Sequence, residues 1–273
     1  MSQQKNMLFG EVTLTRDSIA EDLRRLGLQP GATVIVHSSL RSLGFVCGGP
    51  VALVQALMDV VREEGTIVMP TFTGDVSDPA TWENPPVPQA WWPIIRETMP
   101  AFDPRITPAW GMGKTVEVFR TWPGVLRSAH PAFSFAAWGK EAEAITRSHS
   151  LDYGLGESSP LARIYERDGQ VLLLGVGFDN NTSFHLAEYR VRGAKTTIAG
   201  APVWKEGGRK WVTYQEIQHE TERFLELGEA FERETGCVIK GRVGLSEAKL
   251  FSQRAAVDFA KEWLERQRQK ETY

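Results

Sequence analysis

The sequence has few cysteines and lacks a long apolar run. Cys47 and Cys237 are its only cysteines, and their wide separation gives neither a C-x-x-C pair nor a disulfide framework. We therefore expect a reducing compartment. No apolar run approaches the ~18 residues of a membrane span, and residues 1–10 lack the charged-then-apolar pattern of a signal peptide. These absences predict a cytoplasmic protein with no membrane partner.

The chain also lacks a charge excess, internal repeats and linker-like segments. Its formal net charge of −3 gives no basic surplus, so we expect no nucleic-acid partner. Its length of 273 residues allows one large domain or two small ones. Because no linker-like segment divides the chain, we predict a single domain over 1–273, with an insertion at about 75–110.

Helical and strand-like patterns alternate through the first 70 residues. The pattern predicts a helix over 15–26, a strand over 33–36, a helix over 50–62 and a strand over 66–69. This order is typical of an α/β sheet with crossover connections. The loop 37–50 then opens at the carboxyl edge of the sheet, where it suits a phosphate or a pantetheine chain. The alternative is a well-capped loop without a ligand.

A third strand-like run, 171–176, leads into the stretch that carries the most chemistry. Polar residues follow it directly, and a helix with His185 and Glu188 comes next. Residues three apart share one helix face, so these two side chains can touch, with Thr182 roughly on the same face. The arrangement predicts a general base with an orienting carboxylate. The alternative is an ordinary solvated helix face.

The segment 75–110 is rich in proline and tryptophan and shows little periodicity. A long irregular stretch inside a compact domain is usually functional. We interpret it as an excursion over the site, with Trp82, Trp91 and Trp92 lining a cleft, although each could instead anchor the loop on the core. Farther on, the pattern predicts a β-hairpin over 195–214, then helices over 216–234 and 245–271.

Six ordered motifs between residues 37 and 188 carry a family resemblance. They are H-S-S-L-R-S-L-G (37–44), G-T-I-V-M-P-T-F-T (65–73), R-I-T-P-A-W-G-M-G (105–113), R-S-x-H-P-x-F-S-F-A-A-W-G (127–139), G-E-S-S-P-L (156–161) and G-V-G-F-D-N-N-T-S-F-H-L-A-E (175–188). With these motifs the chain resembles the aminoglycoside 3-N-acetyltransferases, which inactivate aminoglycoside antibiotics with acetyl-CoA.

The resemblance implies a three-layer α/β/α sandwich around a mixed sheet, the antibiotic N-acetyltransferase fold, distinct from the GNAT acetyltransferase fold. The chain also lacks the Q/R-x-x-G-x-G/A pyrophosphate loop of GNAT enzymes. The resemblance places the base and its carboxylate at His185 and Glu188, within a motif that includes Asn180 and Thr182. It implies acetyl-CoA as co-substrate along the H-S-S-L loop. The predicted cofactor-binding residues are His37, Ser38, Ser39, Leu40, Arg41, Ser42, Thr73, Arg105 and Met112, with Arg41 and Arg105 for the phosphates.

The chemistry of acetyl transfer fits these residues. Aminoglycoside amines are mostly protonated at neutral pH, and a histidine paired with a carboxylate is a natural proton acceptor. Thr182 is a candidate oxyanion donor. A polycationic acceptor needs carboxylates and polar groups, for which we predict Asp75, Glu157, Asp179 and Asn180. We expect no metal. We also expect direct transfer, because Cys47 has no neighbouring cation that would favour an attacking thiolate.

Three alternatives remain open. The acceptor could be a different, biosynthetic amine. A metal-dependent hydrolase could use His37, His130, His185 and Asp179 as ligands, although no H-x-H or H-E-x-x-H spacing is present. The chain could also be a non-catalytic module that binds CoA or another ligand. The sequence leaves open whether the protein is a monomer or a homodimer.

Overall fold

A computed structural model describes residues 13–271; residues 1–10, considered above for a signal peptide, lie outside this range. The helices are α1 (Arg16–Leu26), α2 (Gly49–Val61), α3 (Trp92–Thr98), α4 (Lys114–Arg120), α5 (Ala142–Thr146), α6 (Pro160–Glu166), α7 (Ser183–Arg190), α8 (Phe224–Thr235) and α9 (Gln253–Glu271). The strands are β1 (Thr33–Ser38), β2 (Thr66–Pro70), β3 (Leu126–Arg127), β4 (Phe135–Gly139), β5 (Gln170–Leu174), β6 (Thr196–Lys205), β7 (Gly208–Ile217), β8 (Ile239–Val243) and β9 (Ser246–Ser252).

Seven strands form one mixed sheet in the order β3-β4-β2-β1-β5-β9-β8. The central strand β1 runs parallel to both β2 and β5. On the outer sides β4 pairs antiparallel with β2, and β9 pairs antiparallel with β5. Because β1 and β5 are parallel neighbours, the loops after both strands open at the same edge of the sheet. That edge carries the candidate site.

Alternation along the central strands divides the core into two layers. Val34 and Val36 of β1 face the cluster that contains α1, α2 and α4. Ile35 faces the opposite cluster, to which helices α5 to α9 contribute. Successive strand side chains point to opposite faces, so a sheet that is apolar on both faces must be covered on both. The predicted three-layer α/β/α sandwich around a mixed sheet is confirmed.

The carboxyl-terminal third differs from the expectation. The predicted helix over 216–234 is wrong at its start, because β7 continues to Ile217 and α8 begins only at Phe224. The predicted helix over 245–271 is also wrong at its start, since 246–252 is β9, paired with β5. The predicted hairpin is present as β6 and β7, which pair as a separate two-stranded sheet. No helix within the described range has the length and apolar character needed to cross a bilayer.

Two arginines fix the excursion 75–110 to the rest of the molecule. Arg209 of β7 donates to the carbonyls of Arg96 and Met99 at the end of α3. Arg127 of β3 is mostly buried and donates to the carbonyl of Thr107, and burial lowers its pKa to about 10. Backbone carbonyls thus replace water for both guanidinium groups. These contacts help to hold the excursion against the rest of the molecule.

Candidate active site

The connection from β5 to α7 delivers the site residues. Gly175 follows β5 with a φ of +67°, a left-handed conformation that favours glycine. One 3-10 turn, Phe178–Asn180, then precedes α7. The Asn181 side chain accepts the backbone N–H of Ser183 at 3.2 Å, while the Thr182 side chain makes no capping bond. The Thr182 hydroxyl is therefore not used by the helix start.

His185 and Glu188 form a buried hydrogen-bonded pair on α7. Nδ1 of His185 lies 2.6 Å from Oε2 of Glu188. The other carboxylate oxygen, Oε1, accepts the backbone N–H of Glu220 at 2.5 Å. Because the carboxylate is held from two sides, we assign the ring proton to Nδ1, which leaves a lone pair on Nε2. This is the geometry of a general base with its orienting carboxylate.

A second imidazole, His219, packs against the ring of His185. Their ring centroids are 4.5 Å apart, and Phe224 contacts the same His185 ring at 4.8 Å. Burial, assisted by the neighbouring His185, lowers the pKa of His219 to about 3, so His219 is neutral at physiological pH. His219 lies within the predicted helix over 216–234, where the local sequence pattern gives no sign of a site residue.

Glu216 organises a further buried network beside His219. Its carboxylate accepts the backbone N–H of Ile217 at 2.9 Å and of Gly154 at 3.0 Å, and the hydroxyl of Tyr189 donates to it as well. Burial raises the pKa of Glu216 despite these donors. The Tyr189 oxygen also lies 3.0 Å from Nε2 of His219. This network joins the end of β7 to α7.

A cleft of about 770 Å³ lies at the sheet edge, with His185 in its wall. Most of the residues predicted for the site line it. They are His37, Ser38, Ser39, Leu40, Arg41, Met112, Asp179, Asn180, Thr182 and His185. Glu188 lies behind His185 and reaches the cleft only through it. The structure therefore brings the H-S-S-L loop and the α7 dyad into one cavity.

His37 faces Thr182 across the cleft wall. Nε2 of His37 lies 3.4 Å from Oγ1 of Thr182. Burial and the nearby His185 lower the pKa of His37 to about 3, which leaves the ring neutral with a single N–H. The arrangement links the end of β1 to the start of α7.

Some predicted cofactor residues lie elsewhere. Ser42 donates to Ser39 at 2.8 Å and lines a neighbouring pocket instead of the cleft. Thr73 is fully buried and donates to the carbonyl of Pro131. Arg105 is mostly exposed and pairs with Asp103 at 2.7 Å, away from the cleft. The cleft offers a different second cation, Lys114, which the motifs did not single out.

The predicted acceptor-binding acids are also divided. Asp179 lines the cleft, whereas Asp75 does not. Glu157 pairs with Arg190 at 2.7 Å on the surface.

None of the three tryptophans lines the cleft next to His185. The Trp82 indole donates to Ser77 at 2.9 Å, Trp91 is exposed, and Trp92 lies under the Arg96 guanidinium at 5.7 Å.

The ligand set of the hydrolase alternative is not assembled. His130 accepts the backbone N–H of Phe133 at 2.9 Å through Nδ1, and its Nε2 lies 3.1 Å from the carbonyl of Leu151. Its ring packs beside His149, at 4.9 Å between centroids, and does not line the cleft that His37 and His185 share.

Cys47 is exposed, and it is not among the residues that line the cleft.

Comparisons with known proteins agree on one family. The family model described as "Aminoglycoside 3-N-acetyltransferase" matches residues 35–265. The chain is 54% identical to the SPbeta prophage-derived aminoglycoside N(3')-acetyltransferase-like protein YokD of Bacillus subtilis (strain 168), covering 91% of this chain and 92% of that protein. The crystal structure of YokD superposes with a TM-score of 0.91, at 53% identity, over 93% of this chain and 94% of that one.

Two similar structures contain ligands. AAC-IIIb, solved as a binary complex with CoASH, has a TM-score of 0.83 at 32% identity, over 94% of this chain and 98% of its own. AAC-VIa, solved with sisomicin bound, has a TM-score of 0.81 at 30% identity, over 94% and 99% respectively.

Proposed function

The chain belongs to the aminoglycoside 3-N-acetyltransferase family, and from that premise we propose that it transfers the acetyl group of acetyl-CoA directly to the 3-amino group of an aminoglycoside, with His185 as general base. One observation carries the proposal. His185 lies in the wall of a 770 Å³ cleft, and behind it a hydrogen bond of 2.6 Å joins its ring to Glu188. A pair so placed can act on a bound substrate.

The first task of the site is removal of a proton from the acceptor amine. Nε2 of His185 accepts this proton, while Glu188 holds the Nδ1 proton and stabilises the imidazolium that forms. Because the Glu220 N–H binds the second oxygen of Glu188, the carboxylate cannot rotate away from the ring. General-base assistance of this kind is worth roughly 10²–10⁴ in rate.

Thr182 stabilises the oxyanion that forms when the amine attacks the thioester carbonyl. We assign the single N–H of neutral His37 to Nε2, which faces the Thr182 oxygen at 3.4 Å. The Thr182 hydroxyl proton is then available to the oxyanion. Loss of one such donor typically costs about 2.7–4 kcal/mol of transition-state stabilisation.

Acetyl-CoA occupies the cleft along the loop that follows β1. The CoASH complex of AAC-IIIb supports CoA as the ligand type. Small hydroxyl side chains at Ser38 and Ser39 let the pantetheine chain pass close to the backbone. Two cations that line the cleft, Arg41 and Lys114, bind the phosphates.

The acceptor approaches His185 with its cationic amines facing carboxylates. Asp179 and Asn180 line the cleft, and they contact the acceptor there. Asp75 and Glu157 lie at the surface, and Glu157 would have to leave Arg190 to contribute. The sisomicin complex of AAC-VIa supports an aminoglycoside as the acceptor class.

An acceptor panel with acetyl-CoA tests the proposal. We expect thiol release with aminoglycosides that carry a free 3-amino group, and mass spectrometry with NMR should place the acetyl group on that nitrogen. The matched control is the same aminoglycoside already acetylated at position 3. Turnover of simple or biosynthetic amines with no turnover of aminoglycosides would contradict the proposed acceptor.

A further inference from the structure

We propose that His185, Glu188 and His219 also form a binding site for Zn²⁺, and that the bound ion inhibits the enzyme. One ligand atom from each of the three side chains can be chosen so that all lie within 4.8 Å of one another. Between residues 13 and 271, no other group of three or more His, Cys, Asp or Glu side chains meets this condition. The inhibitory role rests on the proposed function of His185, whereas the binding itself does not.

The donor set suits zinc. Two imidazole nitrogens and one carboxylate oxygen make an N₂O set, as in zinc sites that keep a fourth position open. Tetrahedral bonds of about 2.1 Å place ligand atoms about 3.4 Å apart, so a pair as far apart as 4.8 Å must close by up to about 1.4 Å through side-chain rotation. Mg²⁺ prefers oxygen ligands and retains its waters, and it should bind poorly here.

The surroundings favour a dication at this point. Glu188 is one ligand, and a carboxylate oxygen of Glu216 lies 4.0 Å from Nε2 of His219. Both oxygens of Glu216 accept backbone N–H groups, which fix the position of this carboxylate beside His219. The ligands come from α7 and from the segment after β7, and the Glu220–Glu188 bond holds these two elements together.

Zinc removes the base whichever nitrogen of His185 it binds. At Nε2 the ion occupies the lone pair that would accept the proton of the amine. At Nδ1 the ion takes the place of the proton now directed at Glu188, and that proton moves to Nε2, which becomes a donor. No oxidation or covalent change is involved, and chelation reverses the effect. Zinc should therefore compete with the acceptor amine.

Binding is measured first on the full chain without substrates, by competition with a chromogenic zinc indicator. Cys47→Ser/Cys237→Ser provides the background, because both thiols are exposed and could bind zinc themselves. We expect one saturable Zn²⁺ per chain and no saturable Mg²⁺. His219→Gln should weaken zinc binding by at least about tenfold, while the neighbouring Gln218→Ala should not. Circular dichroism checks that each variant is folded.

A second measurement does not depend on that variant. Co²⁺ in the double-serine background should give the visible bands of a four-coordinate N/O site without thiolate charge transfer, and a saturating acceptor should weaken them. No saturable zinc binding, or equal affinity in folded His219→Gln, would overturn the site.

Activity is then followed by mass spectrometry of the product, since zinc binds the released CoA thiol. Full turnover with zinc bound would overturn the inhibitory role; a chain without acetyltransferase activity that still binds zinc through His219 would contradict only the proposed function.

Discussion

Acidification from about pH 7 to about pH 5 should destabilise the protein through histidines buried in the neutral form. Burial lowers the pKa of His130 to about 4 and, together with the neighbouring His130, that of His149 to about 3. In the unfolded chain both titrate near ~6.5. The unfolded state therefore binds more protons below that pH, so stability is full above about 6.5 and is lost as the pH falls.

The magnitude follows from these pKa values. At about pH 5 each histidine is mostly protonated in the unfolded chain and mostly neutral in the folded one, which costs about 2 kcal/mol per residue. His130 and His149 together account for about 4 kcal/mol. His37 and His219, with pKa values of about 3, act in the same direction. The loss is comparable to a large part of the stability of an ordinary domain.

Urea unfolding at the two pH values measures this effect, and two variants isolate His149. His149→Gln removes one titrating group and should reduce the pH dependence of the unfolding free energy by about 2 kcal/mol. Ser128→Ala is the matched control, because it removes the 2.9 Å contact to the His149 ring but keeps the imidazole. It should lower stability at both pH values and leave the pH dependence unchanged. An unfolding free energy that is the same at both pH values would contradict the burial of these histidines in the neutral form.

Three further outcomes concern the reaction. Glu188→Gln should lower kcat less than removal of His185 does, because an amide still orients the ring; a larger loss would contradict the orienting role. Bulky residues at Ser38 and Ser39 should raise the KM for acetyl-CoA far more than that for the amine, and equal effects would mean that the loop does not hold CoA. Initial-rate plots should intersect and Cys47→Ala should keep most activity; parallel plots or an acetylated Cys47 in mass spectra would exclude direct transfer.

The amino-terminal two thirds of the fold could be predicted because its signals are local. Residues 171–174 are a short apolar run, which is typical of a strand buried on both faces, and β5 occupies them. Residues 246–252 mislead because S-E-A-K-L-F-S contains good helix formers, yet pairing with β5 on one side and β8 on the other makes them a strand. The β5 partner lies more than 70 residues away in the sequence, so local propensity gives no sign of it.

The site residues also differ in whether a local sequence pattern predicts them. The i,i+3 spacing of His185 and Glu188 is a local signal, and the structure pairs the two side chains. The contacts that hold this pair come from Glu220 and His219, about 30 residues later and beyond a wrongly placed helix start. Lys114 likewise reaches the cleft through tertiary packing alone. No local pattern at these positions distinguishes them from other polar residues.

Whether His185 is the general base is tested by comparing His185→Ala with the wild type in single-turnover acetyl transfer, together with the Kd for CoA. Because the base acts on the amine and not on the cofactor, we expect the rate to fall by at least about 10²-fold, with the CoA Kd nearly unchanged. A variant that keeps more than about a tenth of the wild-type rate would contradict His185 as the general base.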